Sequence, residues 1–147
     1  MTKKVPSISS GVAGPLGVLH LPRLWEKASL SSVDKLHDDY AACGRGFDQI
    51  VLDGLGIGRE TFLTFIGERR PTYPQLEAWL LDRLGGKVDP AAVVAINRAI
   101  VGHEHSDDVR GDILEDCGME DCGSVKDALT LNNLDDWAAF FREEIAG

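Results

Sequence analysis

Apolar residues in this chain recur at the spacing of one helix face in window after window, and no window alternates apolar with polar residues as a half-buried strand would. Leu21, Leu24, Trp25 and Ala28 fall at i, i+3, i+4 and i+7, and Phe47, Ile50, Val51 and Gly54 repeat the spacing, with Leu52 and Leu55 on a second side. Phe62, Leu63, Phe65 and Ile66 form a short run that is expected to stop at Gly67. Such a pattern restricts the chain to an all-α domain of about six or seven short helices joined by short turns.

Punctuation residues delimit those helices. Thr72 with Gln75 three residues later makes a capping box, Pro74 suits a first turn, and Leu76, Trp79, Leu80 and Leu84 supply the buried stripe before Gly85-Gly86. Asp89-Pro90 opens the next helix, whose stripe is Val93, Ile96, Ile100 and Val101. Ser106 caps another, with Val109, Ile113, Leu114 and Cys117 facing inward and Gly118 as the stop. Ser124 or Asn133 is expected to begin the last, which would bury Leu134, Trp137, Ala138, Phe141 and Ile145. Before the first helix, residues 1–18 hold Pro6, Pro15, Gly11, Gly14 and Gly17 and read as an irregular arm, leaving 19–147 as a single helical domain.

At 147 residues the chain suits one core, and with 44% hydrophobic and 27% charged residues it has the composition of a folded domain rather than a disordered or disulfide-stapled one. Three cysteines without a secretion signal are expected to be reduced thiols. No stretch reaches the roughly 18 apolar residues of a membrane span, so the expected location is the cytoplasm. The net charge of −9 is uneven: from Ile100 onward thirteen acids face three bases, whereas the chain before it is close to neutral. Arg69-Arg70 and Lys3-Lys4 are the only clustered bases, which argues against nucleic acid as a partner. The acidic third reads first as a solvated helical surface, with a basic partner or a cation as the alternative.

Several segments match a known family in order: Gly17-Val-Leu-His-Leu-Pro-Arg-Leu-Trp-Glu-Lys-Ala28, Gly46-Phe-Asp-Gln49, Leu55-Gly-Ile57, Leu76-Glu-Ala-Trp-Leu80 and Thr130-Leu-Asn-Asn-Leu-Asp-Asp-Trp137. From Gly17 to Trp137 the chain resembles the bacterial domain-of-unknown-function family 5069. The resemblance implies a bacterial, cytoplasmic, single-domain protein and assigns no catalytic residue. It also marks the polar matching positions Arg23, Asp48 and Asp136 as candidates for a structural network or a site.

Other constellations read mainly as structure. Gly54-Leu-Gly-Ile-Gly58 follows a helix and not a strand, so it is a helix end and turn rather than a dinucleotide loop. His103 and His105 fall on different helix faces and are expected to complement a helix C-terminus; they share a ligand only if their segment is extended. Cys117 and Cys122 with those histidines would make a Cys2His2 set, but the spacing is loose and no metal is expected. The flanking acids are expected to raise both thiol pKa values. Asp107 and Asp108 suit a first helical turn, and the EF-hand spacing is absent.

The remaining candidate is Tyr40, Cys43, Arg45 and Asp48, within nine residues at the entrance of an apolar helix, with glycines that let backbone approach a ligand. His20 or Arg23 of the first helix would complete it, and Asp48 is expected to pair with Arg23 or Arg45. Two expectations follow: a helical binding or interaction protein without cofactor, whose partner is another protein or a small molecule, or a small-molecule-binding or catalytic domain using this cluster.

Overall fold

Helix α1, Leu21–Ser32, has Pro22 in its first turn, which the fixed φ of proline suits, and it packs against three other helices. In the computed structural model, which describes residues 2–146, six further helices follow: α2 Phe47–Leu55, α3 Arg59–Arg69, α4 Tyr73–Arg83, α5 Pro90–Gly102, α6 Asp107–Asp116 and α7 Ala128–Phe140. A π-helical turn, Phe141–Ala146, ends the described chain. The described residues contain no strand, only isolated bridges, so the fold is all-α as the apolar period requires. No helix among them is long and apolar enough to cross a membrane.

Helix α1 packs against α2, α3 and α4, while α5 joins α2 to α7 and α6 lies on α7. Leu21, Leu24, Val51, Phe62, Leu76 and Leu80 are fully buried in the main core, and Ile113, Leu114 and Leu131 form a smaller one between α6 and α7. At about 1.5–3 kcal/mol for each fully buried large apolar side chain, these clusters supply the driving force for packing the helices. The capping box is closed in both directions: the Thr72 amide donates to Gln75 Oε1 at 2.9 Å and the Gln75 amide to Thr72 Oγ1 at 3.4 Å. Asp89 and Ser106 cap α5 and α6 as their positions suggest.

The arm before α1 is held by backbone amides and serine hydroxyls. Ser7 and Ile8 amides donate to Glu26 Oε1 at 2.9 and 3.0 Å, and Ser9 Oγ donates to Asn133 Oδ1 at 2.7 Å, so the arm crosses α1 and reaches α7.

Several boundaries and faces differ from the sequence expectation. Helix α3 runs through Gly67 and stops at Arg70, which takes a left-handed backbone. Helix α7 is capped by Asp127, whose carboxylate accepts from the Thr130 amide at 2.8 Å, and not by Ser124 or Asn133. Packing against α5 and α6 also sets a different buried face: Ala128, Leu131, Asp136 and Ala139 turn inward, and Trp137, Phe141 and Ile145 are exposed. Val101 and Val109 are exposed too: α5 packs through Ile96, Ile100 and the partly buried Val93, and α6 through Ile113 and Leu114. Trp79 is half-buried, stacked on Phe65 at 4.1 Å rather than inside the core. Gly54 is a point of close approach: a Cβ there would meet Ile96 Cγ1 of α5 at 2.2 Å.

Candidate functional site

Polar side chains on three elements turn toward one another where the hydrophobic period would place apolar ones. On α1, His20 at the N-cap with Arg23 and Lys27 falls at i, i+3 and i+7, and all three are buried. On α7, Asn132, Asp135 and Asp136 occupy i, i+3 and i+4. Between them the segment after α5 is extended, bridged from Glu104 to Asp127, so His103 and His105 lie on the same side. These residues line a cavity of about 260 Å³, which the Gly44 and Gly46 backbone and Tyr40 close from the loop before α2.

Two buried charge networks form its inner wall. In the first, Lys27 Nζ donates to Asp48 Oδ2 at 2.6 Å, the Gly44 amide donates to the same oxygen at 2.7 Å, and His20 Nε2 lies 2.5 Å from Asp48 Oδ1. His20 Nδ1 lies 2.9 Å from Ser10 Oγ of the arm. Burial lowers the pKa of His20, and the nearby Lys27 and Arg23 charges lower it further against the pull of Asp48. A neutral ring then donates through Nε2 to Asp48 and accepts the Ser10 hydroxyl at Nδ1, which satisfies every group. Burial opposes the charge on Asp48, but the His20 hydrogen bond and the Lys27 ammonium outweigh it and hold the carboxyl well below the usual range.

In the second network Arg23 donates to both oxygens of Asp136, at 2.6 and 3.0 Å, and to the Ile8 carbonyl at 3.0 Å, while Tyr40 donates to Asp136 Oδ1 at 3.2 Å. Burial pushes the Asp136 carboxyl up, with Arg23 and Tyr40 opposing. Burial likewise raises the Tyr40 phenol.

Toward the mouth the groups are less committed. Half-buried Asp135 has neither hydrogen bond nor ion pair among the described residues; burial and the Asp136 charge push its carboxyl up, and Arg142 opposes them. His103 meets Phe47 edge to face at 5.7 Å, and His105 Nε2 lies 2.8 Å from Asn132 Oδ1. Both rings therefore face the cavity and not the last carbonyls of α5, which corrects the capping expectation.

His20 also carries a left-handed backbone, φ 72°, which residues other than glycine rarely adopt and which costs about 1–3 kcal/mol. Its strain coincides with the residue that joins the arm to Asp48.

The cluster read from the sequence is divided by the structure. His20, Arg23, Tyr40 and Asp48 meet at the cavity. Cys43 is fully buried in the main core, where burial raises its thiol, and Arg45 is exposed with no place in the lining. Asp48 pairs with Lys27 and His20 rather than with Arg23 or Arg45, because Arg23 is taken by Asp136. Lys27, Asp39, Asn132 and Asp135 are lining residues that sequence reasoning missed; the i, i+3, i+7 polar stripe of His20, Arg23 and Lys27 beside the apolar face of α1 was the available signal for the first.

No group of three or more His, Cys, Asp or Glu side chains among the described residues is arranged to hold a metal ion. Cys117 donates to the Leu134 carbonyl at 3.4 Å, and Cys122 is exposed beside Ser124. Burial and nearby acids raise the Cys117 thiol as expected, but the Ser124 hydrogen bonds lower that of Cys122 despite Asp121.

Chemically, Ser10, His20 and Asp48 form a hydrogen-bonded chain, but the Ser10 hydroxyl at its end is buried and has no place in the cavity lining, so it is shielded from a molecule held there. The arrangement can hold a small polar molecule against a rigid charged wall. Comparison with protein-family models, with curated proteins and with solved structures gives no match.

Proposed function

We propose that this chain is a small-molecule-binding domain whose site is the cavity between α1, α7 and the 103–105 segment. The observation that carries the reading is a concave polar pocket at the place where Tyr40 and Asp48 converge, with the half-buried Asp135 carboxylate in its wall open to an incoming group. At about 260 Å³ the cavity suits a ligand below drug size. Binding without catalysis fits the burial of the Ser10 hydroxyl outside the cavity lining. The resemblance to family 5069 adds a bacterial origin and a cytoplasmic location to this reading.

A second reading, docking of a protein partner, is favoured by the exposed Trp137, Phe140, Phe141 and Ile145 at the end of the chain. A fragment screen followed by amide chemical shifts separates the two. Hits that move the amides of Gly44, Gly46, His103 and His105 support the cavity. Hits that gather only on Trp137 and Phe141 transfer the function to that face.

A further inference from the structure

The cavity lining contains two cations, Arg23 and Lys27, and four carboxylates, Asp39, Asp48, Asp135 and Asp136. Asp48 and Asp136 absorb the two cations at 2.6 Å each, so the deep wall is neutral. Asp135 and Asp39 remain, both toward solvent, and give the mouth a formal charge of −2 with the histidines neutral. Asp39 is well exposed, 3.9 Å from His37 Nδ1, whereas Asp135 is half-buried beside Asp136. Low-dielectric walls focus such a field on a small opening, and the chain's overall charge of −9 adds to it. An anion would meet repulsion at the mouth and paired cations at the floor. A cation would meet a carboxylate that lacks a partner, with the carboxylate of Asp39 close to its path.

Resting on the reading of the cavity as a small-molecule site, we infer that its ligand is a small organic cation bearing a protonated amine, whose ammonium takes Asp135 as its ion-pair partner at the mouth. The aromatic residues Tyr40 and Phe47, also in the lining, suit a short apolar body behind that ammonium. An ammonium gives a full ion-pair partner to a half-buried carboxylate that burial and Asp136 disfavour and that the Arg142 charge offsets only in part.

The test is calorimetry and amide chemical-shift titration of the full chain with 1,4-diaminobutane, and in parallel with inorganic phosphate, glycerol and zinc chloride. The expected result is diaminobutane binding that moves Gly44, Gly46, His103 and Asn132 and weakens tenfold or more in Asp135→Asn, a variant that melts no lower than the parent because it removes an unpartnered charge. Equal affinity in Asp135→Asn, or shifts confined to the acidic helix α6, overturns the inference. If phosphate, glycerol or zinc moves the cavity amides and diaminobutane does not, the amine is wrong while the cavity stands. If none of the four moves them, both readings fall.

Discussion

Arg23 of the first helix and Asp136 of the last, 113 positions apart, meet in a buried two-point ion pair with contacts of 2.6 and 3.0 Å. This pair ties α1 to α7 beneath the cavity and also fixes Tyr40 through its hydroxyl. Removing one partner strands the other: Asp136→Asn is expected to cost about 3–5 kcal/mol in urea denaturation. Arg23→Lys should recover little, since an ammonium cannot reproduce the planar two-point contact. Full stability in Arg23→Lys would show that the geometry of the pair is unimportant.

Asp48 is surrounded by three donors, so its loss should be equally severe. Asp48→Ala leaves the Lys27 ammonium buried without an anion, and a loss of about 3–5 kcal/mol is expected from thermal or chemical melts. The partner change has a spectroscopic sign. Burial chiefly holds His20 neutral and the Lys27 charge adds to it, so Lys27→Met should raise the His20 pKa, read from ring chemical shifts.

Stability should fall on acidification in two stages. His20 has its pKa lowered from 6.5 in the fold, so the unfolded chain takes up that proton first and stability, full above neutrality, begins to decline as pH drops through about 6.5. Asp48 is lowered from 3.8, so its contribution is present above the carboxylate range and drains away within and below it. Asp135 and Asp136 are shifted up and run in the opposite sense, which softens the second stage and leaves the first as the clear signature. Melts of His20→Gln across pH 5–8 are expected to lack the decline near 6.5; an unchanged slope would place the titration elsewhere.

Gly54→Ala offers a test of the α2–α5 contact. Alanine improves helix propensity by about 1 kcal/mol, but the new methyl would sit 2.2 Å from Ile96 Cγ1, and overpacking costs about 1–3 kcal/mol. A net loss is expected in a urea melt, and pairing it with Ile96→Val should return part of it.

The helices were legible from local pattern. Thr72 with Gln75, Asp89-Pro90 and Ser106 mark their starts because a cap satisfies amides within three residues of itself, and that information lies wholly in neighbouring positions. Gly56 ends α2 with φ 70°, a conformation that glycine adopts freely. Part of the candidate site was legible too: His20, Arg23, Tyr40 and Asp48 are polar residues next to buried runs.

What local pattern could not decide was which charges meet. Arg45 is three residues from Asp48 yet exposed, while Lys27, 21 positions away, supplies the ion pair, because the crossing of α1 over α2 and not chain distance sets the partner. The same holds for α7. An apolar stripe of Trp137, Phe141 and Ile145 predicts burial only if a neighbour covers it, and the packing of α7 on α5 and α6 instead covers Ala128, Leu131 and Ala139. Sequence thus determined the helical class, the caps and the residues with chemistry to offer, since those depend on contacts within a few residues. The pairing of Asp48 with Lys27, the exposure of Trp137 and the unpartnered Asp135 depended on long-range packing, which only the tertiary structure decides.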